Sequence, residues 1–146
     1  MRVLGFLTLV ACLTLAHSAK KYYIYKIYNL NWYAAFQDCL SRNLQLATIT
    51  SDEEQRSLDI VIKRVDAIND MLWTSGTDQG EKGNFFWMST GRHFNYTKWS
   101  KSQPDNFGGI ENCVHTWNID GVTQWNDGGC DITFVKINPK PNVFSI

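Results

Sequence analysis

Neither sign of charge dominates this sequence. Its 146 residues include 14 Lys and Arg against 14 Asp and Glu, and only 19% are charged. With no basic run, the electrostatic footprint of a general nucleic-acid binder is missing. No internal repeat and no low-complexity tract occurs, and an aromatic content of 14% excludes a disordered or fibrous chain. Histidine is equally scarce. Beyond the first 18 residues only His93 and His115 remain, without the Ser, Cys or acid spacing of a triad. No metalloprotease helix motif and no Gly-rich phosphate loop is present, so the chain is not expected to be an enzyme.

The one long apolar run is at the start. Met1-Arg2 precedes Val3 to Ala16, and Ala16-His17-Ser18 supplies small residues before a cut ahead of Ala19. That pattern is a secretory signal peptide over 1–18, too short for the ~20 residues that span a bilayer. The mature chain, 19–146, is one domain of ordinary size. Cys12 leaves with the signal, so Cys39, Cys113 and Cys130 remain. An oxidising compartment favours one disulfide and one odd thiol. The turn signal Ile119-Asp120-Gly121 makes Cys113–Cys130 the better pair, because it brings neighbouring strands together.

Two amphipathic helices occupy the first half, after an opening strand at Tyr22 to Ile27. Asn31 caps a stripe of Trp32, Ala35, Phe36, Cys39 and Leu40. A short extended piece, Leu46 to Ile49, follows. Ser51 and Glu54 form a capping box ahead of Leu58, Val61, Ile62 and Val65. The second half has short strand candidates: Leu72-Trp73, Phe85 to Met88, Phe94 to Trp99, Cys113 to Trp117, Val122 to Trp125 and Ile132 to Ile137. Gly, Asn and Asp turns separate them. The fold class is α+β, two helices with short twisted antiparallel sheets. Gly76 to Asn84 and Ser100 to Asn112 lack periodicity, and a stretch as long as the second points to function.

That loop carries Gln103-Pro104-Asp105, and Glu111 stands just ahead of Cys113; Asn126-Asp127 stands just before Cys130. Pro104 fixes the side chains on either side of it, and a cis bond is one way tight turns do so. The Cys113–Cys130 bridge would carry Glu111 towards Asn126 and Asp127. Five oxygen-bearing side chains then converge: Gln103, Asp105, Glu111, Asn126 and Asp127. Any one of them alone reads as a solvated turn residue. Together, three carboxylates without His or Cys are a hard-cation set that suits Ca2+. Calcium takes roughly 6–8 oxygens, leaving places for two adjacent sugar hydroxyls. Each hydroxyl gives its proton to a carboxylate and accepts one from a carboxamide.

Gln103-Pro104-Asp105, Glu111-Asn112-Cys113 and Trp125-Asn126-Asp127 with Cys130 resemble the carbohydrate-recognition domain of C-type lectins. The likeness runs from Tyr22 to about Ile137, includes Trp73-Thr74-Ser75-Gly76, and is nearest to the secreted single-domain lectins of arthropods. It implies a double-loop fold and a Ca2+ shared between protein and sugar. In that family Gln-Pro-Asp accompanies galactose-type ligands, and Glu-Pro-Asn mannose-type ligands. Exchanging acid and amide across the Pro reverses which hydroxyl meets a donor. Galactose also has a flat apolar face, for which Phe107 is the candidate platform, the alternative being a core anchor within the loop.

Three departures accompany the likeness. Lys82 stands where an acid of an auxiliary Ca2+ site is expected, and Asn106 and Asn112 likewise replace acids, so a second ion site should be weak or absent. Asp78-Gln79-Gly80 also lacks EF-hand spacing. Asn138 takes the place of the family's last cysteine, so Cys39 is expected to be a buried thiol, with an intermolecular disulfide as the alternative. Asn95-Tyr96-Thr97 is a glycosylation sequon. The expected function is Ca2+-dependent binding of galactose-type glycans on microbial or cell surfaces by an extracellular protein, in recognition or agglutination. Agglutination would require self-association. The alternative is a lectin-like module that binds a protein partner without sugar.

Overall fold

The computed structural model describes residues 20–24 and 30–133. The candidate signal peptide, residues 25–27 of the expected opening strand and the tail from 134 onward lie outside them.

The two helices form where the stripes and caps place them. α1 (Trp32–Ser41) starts at Asn31, whose side chain accepts from the Ala34 amide. It buries Trp32 and Cys39 and half-buries Ala35 and Phe36. Leu40, expected on the same stripe, is instead 54% exposed. It lies about 80–100° around the helix from Trp32 and Cys39, beyond the narrow face that α1 offers the core. α2 (Asp52–Arg64) starts at Ser51, which accepts from the Glu54 amide, and the Glu54 carboxylate reaches back to the Thr50 amide and hydroxyl and to Lys20. Acids fill its first turn and bases its last, matching the helix dipole.

One antiparallel sheet takes the rest, in the order β3-β2-β1-β4-β5, with β1 (Leu72–Thr77), β2 (Phe86–Trp87), β3 (Arg92–His93), β4 (Glu111–Ile119) and β5 (Val122–Gly129). The α+β class therefore holds, but the strands differ from expectation. β1, β4 and β5 run longer than their apolar cores, because sheet pairing carries on through Ser75-Gly76-Thr77 and Asn126-Asp127-Gly128. Phe94 to Trp99 is no strand; Trp99 alone makes an isolated bridge to Trp125. Its aromatic side chains instead fill the core, Phe94 stacking on Trp87 with ring centres 4.1 Å apart. Among the described residues, 22–24 belong to no strand, although Tyr22 and Ile24 are buried on either side of exposed Tyr23. Ile132 and Thr133 are likewise outside any strand.

Two apolar clusters support the site. The larger joins Leu58 and Ile62 of α2 to Trp87, Val114 and Trp125 of the sheet. Its polar link is buried Gln55, which accepts from the Trp125 indole at 2.9 Å. The smaller packs Trp32, Cys39 and Leu46 against the Cys113–Cys130 disulfide. Gly76 is required here: a Cβ at that position would lie 2.7 Å from the Phe94 ring and 3.0 Å from Val114. Cys39 is buried and free, and burial pushes its thiol up to about 11.

Candidate cation and ligand site

The site forms where the loop after Trp99 returns to the β4–β5 pair. Ser100 donates to the Trp125 carbonyl and Trp125 to the Lys98 carbonyl, so the loop leaves from β5 itself. The Gln103–Pro104 peptide is cis. Asp127, fully buried on β5, accepts the backbone amides of Asp105 (3.1 Å) and Asn106 (2.9 Å). The loop is thus folded around this one carboxylate. Gln103 contributes its side-chain oxygen to the Asp105 amide.

Glu111 comes into range through the sheet. The β4–β5 register sets Glu111 opposite Gly129 and Val114 opposite Asp127, with a bulge between Glu111 and Cys113 that re-aims the first side chain. Asp105, Glu111 and Asp127 each offer a carboxylate oxygen, and these atoms lie within 4.8 Å of one another. Among the described residues, no Lys, Arg or His makes an ion pair with any of the three. Partial burial, and then the nearby Asp127 and Asp105 charges, hold the Glu111 carboxyl above its ordinary range, while the Phe107 amide at 2.9 Å opposes this. Asn126, one residue before Asp127, is buried, and its Oδ1 has no hydrogen-bond partner.

Phe107 is 77% exposed and so is no core anchor. Asn106 has a larger part than its reading as a missing acid suggested. It adopts a left-handed conformation (φ 49°) and its Oδ1 accepts from the Glu111 amide. The sequence signal was present, since Asn tolerates this region and bonds local backbone. Asn95 of the sequon is exposed.

At the earlier loop, Asp78 is almost wholly buried and accepts from the Gly83 amide and from the Lys82 ammonium at 3.1 Å. The same ammonium meets the Glu111 carbonyl and approaches Asn112 Oδ1 at 3.4 Å. A lysine here collects oxygens from both loops.

The donor chemistry suits a hard divalent cation such as calcium: three anionic oxygens converge, and Asn126, the residue before Asp127, carries a buried amide oxygen still unpartnered. An α+β domain that presents such a set at the edge of a long loop is a binding module. The chain matches the family described as Lectin C-type domain over residues 28–136, and it belongs to that carbohydrate-binding family. Similar sequences come from insects. One is lectin subunit alpha of Sarcophaga peregrina, 33% identical over 134 residues, which cover 88% of this chain and 47% of that protein. The chain thus spans about half the length of that relative. Outside the insects, the chain is also similar to the galactose-specific lectin nattectin of Thalassophryne nattereri, 30% identical over 116 residues, covering 80% and 71% of the two chains. The crystal structure of the C-type lectin CEL-I from Cucumaria echinata shares the fold, with a TM-score of 0.69 at 24% identity over 84% of this chain and 92% of that one. These relatives are lectins, binding proteins and not enzymes. No described helix is long and apolar enough to cross a membrane.

Proposed function

We propose that the chain is a calcium-dependent lectin for galactose-type glycans, made with a cleaved signal peptide over 1–18 and acting outside the cell. Gln103, Asp105, Glu111, Asn126 and Asp127 would hold the ion, and the same side chains would meet two adjacent sugar hydroxyls. A bound calcium would supply the charge that offsets three carboxylates and open places for hydroxyl oxygens. The chain's own groups do the rest. Carboxylates take hydroxyl protons, carboxamides donate to hydroxyl oxygens, and exposed Phe107 offers an apolar face. The observation that carries this reading is the set of three carboxylates within 4.8 Å of one another, with an orphaned buried amide oxygen on the residue before Asp127.

The galactose preference rests on the Gln103-Pro104-Asp105 order and is in keeping with a galactose-specific relative. Glycans of microbes or cells are the natural partners, and agglutination would need a homo-oligomer. Retention on immobilised galactose, released by a chelator and by free galactose but not by mannose, is the expected result. Retention that ignores the chelator would remove the ion from the reading. Retention on mannose alone would reverse the specificity.

A further inference from the structure

The side chains that touch the ion in this reading leave one question open: what decides which end of the Asn126 carboxamide faces the carboxylates. We propose that His115 is the positioning residue that sets this orientation, a role that rests on the reading of Asn126 as a ligand. On the paired strands β4 and β5, His115 stands directly opposite Asn126. Its Nε2 lies 3.3 Å from Asn126 Nδ2, and its Nδ1 lies 3.2 Å from the Thr116 carbonyl. A backbone carbonyl only accepts, so Nδ1 carries the ring proton and Nε2 is bare. A bare nitrogen accepts from the NH2 end of the amide and repels its oxygen. The Asn126 nitrogen is therefore turned to the ring, and Oδ1 is directed away from it, buried and unpartnered.

The imidazole is in turn fixed by its surroundings. It is buried, with Trp73 and Trp117 edge-on at ring-centre distances of 5.6 and 6.0 Å. Gly128 makes room for it: a Cβ there would lie 3.2 Å from the ring Cδ2 and 3.4 Å from Nε2. A free amide has two orientations of similar energy and only one offers oxygen to a cation. Choosing that one beforehand spares the ion the cost of turning a buried group.

The test begins without calcium. Nitrogen NMR of the unliganded protein should show His115 with protonated Nδ1 and bare Nε2, and one Asn126 amide proton bonded to it. A protonated Nε2 in the neutral ring would overturn the proposal. Calorimetric calcium titration should then find His115→Phe, which keeps the ring but not the acceptor, roughly tenfold weaker, the worth of one buried hydrogen bond. His115→Gln, whose Oε1 can accept, should recover much of this. Equal calcium affinity in wild type and a folded His115→Phe would overturn the proposal. If the Phe variant does not fold, a Gln variant that leaves the Asn126 amide without its bonded proton yet binds calcium as wild type does so instead. Wild-type protein that takes up no calcium defeats the ligand reading alone, because the tautomer and the amide bond are read from the unliganded protein.

Discussion

Two acidic loops lie side by side in this domain and resolve the same electrostatic problem in opposite ways. In the earlier one, the buried Asp78 carboxylate receives an ammonium from its own chain, Lys82, four residues on. In the later one, Asp105, Glu111 and Asp127 converge with no such partner among the described residues. Burying a charge costs several kcal/mol unless it is paired. The first loop is therefore complete without anything from solution, whereas the second holds a charge excess that a cation would relieve. The Glu111 carboxyl is held above its ordinary range first by burial and then by these acidic neighbours. Lys82 also touches the Glu111 carbonyl and approaches Asn112, so the self-sufficient loop braces the other.

The largest effect should come from emptying the second loop of its organising acid. Asp127→Ala removes a ligand and also leaves the Asp105 and Asn106 amides without their acceptor. Calcium uptake measured by calorimetry, and galactose retention with it, should fall at least a hundredfold, about 2.7 kcal/mol or more. A protein with this change that still titrates calcium at wild-type affinity would erase the contrast between the loops. Next is Lys82→Met, which strands Asp78. Because the Lys82 side chain is 44% exposed, water softens the loss, and about 1–2 kcal/mol of stability is expected in urea unfolding. Calcium affinity should drop only a few-fold, through the lost brace on Glu111. If Lys82→Met were neutral in both measurements, the ammonium would be decorative. Third, calcium at about a hundred times its Kd should stabilise the wild type by about 2.7 kcal/mol, read as a rise in Tm that a chelator abolishes.

The contrast between the loops was only half legible in the sequence. Lys82 was visible as a departure from a cation site, but that its ammonium would reach Glu111 and Asn112 across 29 and 30 residues was not. Periodicity and capping found both helices, since Asn31 and Ser51 act on their own next turn. The same reasoning failed at Leu40, whose exposure depends on how little of α1 meets the core. It failed again at Phe94 to Trp99, where strand-like composition served aromatic packing. Glu111, Asn126 and Asp127 were legible as neighbours because the Cys113–Cys130 bridge and the Asp120-Gly121 turn fix one hairpin. Asn106 and His115 were not singled out for the site, because each acts through backbone or through another side chain, and that leaves no spacing signature.

The smallest effect on stability is expected at a residue whose predicted consequence is for sugar binding alone. Phe107 is 77% exposed, and the loop around it is held by the Phe107 backbone amide on Glu111, not by its ring. Phe107→Ala should therefore change urea unfolding by less than about 0.5 kcal/mol and leave calcium affinity as it was. Galactose retention should nonetheless weaken about threefold to tenfold, since the ring's contribution is an apolar face worth about 0.5–1.5 kcal/mol. Phe107 contributes little to folding, because most of its area stays in water until something covers it. The site's electrostatics and its apolar face should thus be separable: removing an acid should lose the ion, and removing the ring should weaken sugar binding while the ion stays. A Phe107→Ala protein with full galactose retention would leave the exposed ring with no part in sugar binding.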